Sequence, residues 1–190
     1  HPRTLVFSDA ALEARHTAER FRAARAPLLA LASLGIVIAV INVIVSPQLL
    51  VGQALFAAAC GICIVVRVHL DQMADQVRAC TLFGRSLVAL FLVLAIASCA
   101  FRYHTRPVAD VVVVICQAAM SMLVPSCLFF SAISASHRLA FHVICFLHAI
   151  SAPPISALGW PVEPLCLCGA QLFGVAIGFV IEHHDRQTYL

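Results

Sequence analysis

Lysine is missing altogether: the 12 basic residues are all arginine. That excludes a retinal Schiff base, and with it a photoactive opsin, because the linkage needs a lysine amine. Charge of either sign is scarce, at 11% of residues, and the net charge is +3. The arginines are clustered beside apolar runs and form no continuous basic face, so nucleic acid is not an expected partner. A regular polar–apolar alternation is also lacking, which excludes a membrane β-barrel. No signal peptide is recognisable, because the first apolar run follows about 26 polar residues.

What the chain has instead is apolar length. Hydrophobic residues make up 62% of it and the mean hydropathy is +0.99. A soluble domain of this size has too little interior for that much apolar surface. In lipid the backbone must satisfy its own hydrogen bonds, and long uninterrupted runs do so as helices. The expected fold is all-α: a polytopic bundle of six transmembrane helices with both termini cytoplasmic.

Residues 1–26 read as a cytoplasmic juxtamembrane segment, helical from about residue 8. Ser8 or Asp9 can cap this helix, and Asp9 and Glu13 suit its positive dipole end. Arg15 and Glu19 form an i,i+4 pair. Arg20, Arg22 and Arg25 lie beside the first span, where they can meet anionic headgroups or simply set topology. Spans are expected at about 27–45, 49–68, 86–101, 108–133, 139–158 and 162–181. Pro125 should kink the fourth. Pro153-Pro154 should bend or unwind the fifth, with Trp160 at the outer interface beyond it.

Arginine placement sets the orientation. With the N-terminus inside, the inner segments hold Arg3, Arg15, Arg20, Arg22, Arg25, Arg67, Arg78, Arg85, Arg138 and Arg186. The outer side holds Arg102 and Arg106. The positive-inside rule therefore places both ends in the cytoplasm.

Several constellations could carry function. Arg102, His104, Arg106 and Asp110 gather at the start of the fourth span, and Glu163 sits at the start of the sixth. Carboxylates at a membrane boundary want partners, so Asp110 or Glu163 should pair with Arg102 or Arg106. That patch is either a structural clamp between spans, the preferred reading, or an outward-facing sensing site. His142, Cys145 and His148 follow one another along the fifth span. They are weak candidates for haem or metal, since no other span offers a central histidine; hydrogen bonding to a neighbouring helix is the plainer role.

The nine cysteines are odd in number and mostly inside spans, so they read as small packing residues. Cys60-x-x-Cys63 and Cys166-x-Cys168 lack the four convergent ligands that zinc needs. There is no convincing nucleophile, acid–base pair or cofactor loop, so neither catalysis nor a cofactor is expected of this chain.

The sixth span carries the more informative pattern. Ala170, Gly174 and Gly178 are spaced by four, a small-residue face for close helix packing within the chain or between two chains. Beyond it, 182–190 has the sequence EHHDRQTYL, with Glu182 and Arg186 paired at i,i+4. No Gly or Pro falls between 179 and 190, so this helix should run unbroken into the cytosol as a transmitter helix. The chain opens on His1 and stops inside that charged helix, as a piece of a longer protein would.

Six spans, cytoplasmic termini and an exit helix of the form Glu-x-x-x-Arg-x-x-Tyr-Leu (Glu182, Arg186, Tyr189) resemble a known arrangement. It is the membrane domain preceding the catalytic part of membrane-bound class III nucleotide cyclases and related PAS-containing sensors. Phe7-Ser8-Asp9-Ala10-Ala11-Leu12-Glu13 is similar to the pre-membrane segment of some of them. The resemblance implies a membrane anchor that transmits a signal to a cytosolic domain, working as a homodimer through Ala170, Gly174 and Gly178. No catalytic domain lies in these 190 residues, so no catalytic residue is carried over. A transporter or channel subunit is an alternative, though no potassium filter or arginine ladder is present. An accessory subunit of a larger membrane complex is another.

Overall fold

The computed structural model describes residues 9–102, 115, 117, 119–124, 133–151 and 161–189. Regular structure among the described residues is helical throughout, with no strand.

The first helix, α1 (Ala10–Ala23), begins where Asp9 caps it. The Asp9 carboxylate accepts hydrogen bonds from the backbone N–H groups of Ala11 at 2.8 Å and Leu12 at 3.3 Å, satisfying two donors that have no partner within the helix. Ala24, with φ −72° and ψ −4°, is the single joint before α2 (Arg25–Val45). Pro27 falls in the first turn of α2, where a missing N–H costs nothing. Ser46 breaks that helix with φ −138° and ψ 82°. A short 3₁₀ turn, Pro47–Leu49, then reverses the chain into α3 (Leu50–Leu70).

The polar stretch around 69–85, although charged, is mostly helical. α3 runs to Leu70 and α4 (Gln76–Arg102) starts well before the apolar run that it carries. Asp75 accepts a hydrogen bond from the Arg78 backbone N–H at 2.9 Å at this start. The amphipathic spacing explains the early start: Ala79, Cys80, Phe83 and Leu87 share one face of α4 and are buried, together with Phe21, Leu70, Ile133 and Phe141. Residues 119–124 are helical; α5 (Ala135–Ser151) and α6 (Val162–Tyr189) follow.

Among the described residues, four helical stretches are long and apolar enough to cross a membrane: Arg25–Val45, Pro47–Leu70, Gln76–Ala100 and Val162–Tyr189. Each reaches about 30 Å or more at 1.5 Å per residue, the thickness of the hydrocarbon core. Their large side chains point outward: Ile44 is 73% exposed, Val65 68% and Leu165 66%. Apolar exposure spread over separate helices suits lipid and would be a liability in water. Of the six expected spans, α5 covers the first part of 139–158, at 17 residues, and only a few residues of 108–133 are described. Pro125, Pro153-Pro154 and Trp160 lie outside the described residues.

Close packing inside the bundle depends on small side chains. A Cβ on Gly35 would come within 2.7 Å of Cys60 Sγ, so α2 and α3 approach closely there. Cys60 and Cys63 are free thiols.

Candidate functional site: a charged mount between the first and last helices

At one end of the bundle, α1 lies against the polar last turns of α6, and α5 contributes one arginine. Glu182 is at the centre. It is 1% exposed, and Arg138 of α5 donates to its Oε2. Arg186 Nε lies 3.1 Å from Glu182 Oε1, closing the i,i+4 pair, and Arg20 Nη1 of α1 lies 3.8 Å from the same oxygen. Three guanidinium groups from three helices thus converge on one carboxylate. A charge buried to this degree is tolerable only with such partners.

Around this centre the contacts run outward along α1. Arg186 Nη1 and Nη2 donate to the two carboxylate oxygens of Glu13 at 2.8 and 3.1 Å. His16, with no exposed surface, lies 3.2 Å from Asp185 Oδ2 through Nε2, and its ring meets Tyr189 edge-on at 4.7 Å. Arg20 Nε lies 3.3 Å from the same Asp185 oxygen. The Tyr189 hydroxyl donates to Glu19 Oε2 at 2.9 Å, and Arg15 donates to Glu19 Oε1 at 3.0 Å.

Electrostatics follow from burial and neighbours. Burial pushes the His16 imidazole below its ordinary value; the cationic Arg186 and Arg20 push the same way, while Asp185 pulls it partly back. The Tyr189 hydroxyl and Arg15 hold the Glu19 carboxyl below the usual range.

A second buried cation supports α1 from below. Arg67, 1% exposed, donates to Asp71 and to the backbone carbonyl of Phe21. Its guanidinium stacks 3.7 Å from the centre of the Phe21 ring, and Arg25 reaches Asp71 at 3.2 Å. The joint between α1 and α2 is therefore held on both sides.

These positions bear on the sequence reading in several ways. Glu182, Arg186 and Tyr189 are brought together, by α1, into a mount that the exit-helix pattern did not reveal. Arg20, placed by sequence beside anionic headgroups, is turned inward toward Glu182 and Asp185; Arg22 stays exposed. Arg67 and Arg138, counted as loop charges, are buried within helices. The small-residue face of α6 is engaged inside the chain. A Cβ on Gly174 would collide with the Met122 carbonyl, with the carbonyl carbon 2.9 Å away, and Gly178 is buried too. Of the outer patch, Glu163 is buried at 2% exposure in the first turn of α6. His104, Arg106, Asp110 and the Arg102 side chain lie outside the described residues, as does the expected pairing with them.

The histidines of α5 meet neighbouring helices. His148 lies 3.3 Å from Cys99 Sγ and 3.5 Å from Ser98 Oγ on α4; His142 lies 3.4 Å from Gln171 Nε2 on α6. Among the described residues no three His, Cys, Asp or Glu side chains converge as metal ligands would. Sequence reasoning passed over the uncharged polar residues within the apolar runs, Asn42, Gln53 and Gln171. Asn42 Nδ2 donates to Gln53 Oε1 at 3.4 Å across α2 and α3. Their rarity in apolar helices was the signal that could have found them.

No family model, curated protein or solved structure matches this chain.

Proposed function

We propose that this chain is a membrane anchor and signal-transmitting domain, with both ends on the cytoplasmic side and its output attached beyond residue 190. The observation that carries this reading is buried Glu182, held by Arg20, Arg138 and Arg186 at the point where α6 leaves the apolar part of the bundle. α6 is one unbroken helix from Val162 to Tyr189. A displacement at its apolar end is therefore delivered to its polar end without a hinge, and α1 and α5 fix the rest position of that end.

The output domain is of the nucleotide cyclase kind, as the exit-helix resemblance implies. Two copies side by side would bring two such outputs together. Because Gly174 and Gly178 pack within the chain, pairing would use the outward face of α6, where Leu172 is 58% exposed and Val180 65%.

The reading is tested by joining a class III cyclase catalytic domain after residue 190 and inserting one to four alanines behind Tyr189. A rigid transmitter makes cyclase output rise and fall with helical phase, returning towards the parent value near the fourth insertion, about one turn. Output that ignores the insertions overturns the proposal.

A further inference from the structure

A cavity of about 240 Å³ lies inside the bundle, walled by α2, α3, α4, α5 and α6 and by residues of the 117–124 segment. Its walls are mainly apolar, including Phe56, Phe91 and Phe141. Into it come uncharged polar side chains from separate helices: Asn42, Gln53, Ser98, Gln117, His148 and Gln171. Asn42 is 2% exposed and Gln171 4%. The Oδ1 of Asn42 and the Oε1 of Gln117 are buried with no hydrogen-bond partner among the described residues. A bare amide oxygen within an apolar bundle is costly, and in native proteins such a group is normally matched by a donor.

The chemistry of the walls defines what would match them. Two amide oxygens need a donor. The amide and imidazole groups beside them also offer donors, so a group that both gives and accepts fits best, and a hydroxyl is the smallest that does. Among the described residues no Asp, Glu, Lys or Arg lines the cavity, so a carboxylate, phosphate or ammonium would meet no counter-charge from them. The remaining wall is hydrocarbon and aromatic, suited to an alkyl or prenyl chain. The space is many times the ~10–15 Å³ that one water needs, enough for a chain of medium length.

We infer that this cavity is a binding site for a neutral, hydroxyl-bearing amphiphile of medium chain length, its hydroxyl donating to the Asn42 amide oxygen and accepting from the Gln117 amide group, with the phenylalanines covering the chain. The site goes beyond the proposed transmission role. Its occupancy is read directly and does not depend on whether α6 passes a signal.

The test uses the full chain in lipid nanodiscs and a diazirine-bearing octanol as photolabel, with adducts mapped by peptide mass spectrometry. Labelling is expected on peptides that line the cavity, and excess 1-octanol should suppress it while octane and octanoate do not. Asn42→Leu and, separately, Gln117→Leu should each weaken octanol competition roughly tenfold, about one buried hydrogen bond left unmade. The unfolding temperature of each variant shows which remains folded, and either folded variant suffices. Labelling confined to lipid-facing residues such as Ile44 and Val65, equal competition by octane, or unchanged competition in a folded variant would each overturn the inference. A cavity filled by water gives the first of these outcomes.

Discussion

Arg186 of α6 holds Glu13 of α1 by both arms of its guanidinium, at 2.8 and 3.1 Å, while its Nε reaches Glu182 at 3.1 Å. One planar cation therefore bridges a carboxylate on its own helix and one more than 170 positions away along the chain. The side chains are 12% and 24% exposed, so water screens the fork only partly. Lysine keeps the charge but offers no planar fork. Arg186→Lys should therefore loosen α1 from α6 nearly as much as Arg186→Gln does. A double-mutant cycle with Glu13→Gln, read as thermal unfolding in mild detergent, should return a coupling of about 1–2 kcal/mol. A coupling near zero would mean that the fork contributes nothing to the mount.

Glu182 should be the most sensitive position in the mount. Removing its charge leaves Arg20, Arg138 and Arg186 facing one another in a buried space. Breaking a buried pair by deleting one partner typically costs about 3–5 kcal/mol, because the remaining charge is uncompensated. Glu182→Gln preserves the shape and should still release α1. Trypsin should then cut at Arg20 and Arg22 faster than in the parent chain. Replacing exposed Arg22 with Gln should leave the mount intact and serves as the control.

His16 makes the mount weaken in acid. Its imidazole is fully buried, and burial pushes it below the ordinary value of 6.5, with Arg186 and Arg20 adding to the push and Asp185 opposing it. Among the described residues, the groups facing it include Arg20 and Glu19 on its own helix and Asp185, Arg186 and Tyr189 on α6. Because the released state takes up a proton at a higher pH than the docked state, docking is favoured above about 6.5 and progressively lost below it. Protection of α1 from proteolysis, measured between pH 7.5 and 5, should fall across that window. His16→Asn should flatten the dependence, whatever it does to the docking itself. A parent profile as flat as that of the variant would remove His16 from this role.

The sequence made the long helices legible because lipid imposes one rule on every residue of a span. Apolar length is sufficient, and α2, α3, α4 and α6 follow from it. The cap at Asp9 and the pairs Arg15–Glu19 and Glu182–Arg186 were legible for a different reason: each is local, within one turn of helix. The mount was not, since it joins residues such as Glu13 and Arg186 that only folding brings together. Arg67 misled for a related reason. An arginine at the end of an apolar run reads as a topology signal, and nothing in sequence says that Phe21 will offer it a ring and a carbonyl. Asn42 and Gln53 were visible as polar residues in apolar runs, yet their meeting across α2 and α3 depends on the close approach at Gly35.

Gly174 separates packing within the chain from pairing between chains. Any side chain there meets the Met122 backbone, and a backbone atom cannot swing aside as a flexible side chain can. Gly174→Leu should therefore lower the unfolding temperature and the folded yield, by overpacking that typically costs about 1–3 kcal/mol or more. The oligomeric mass of the folded fraction in mild detergent should stay as in the parent chain. Gly169 lies five residues earlier on the same helix, and among the described residues nothing outside its own stretch of helix lies within 4 Å of its would-be Cβ, so Gly169→Ala should be neutral or slightly stabilising. If Gly174→Leu instead left stability alone and changed the mass, the small-residue face would belong to an interface between chains, and the packing of α6 against residues 119–124 would have to give way to it.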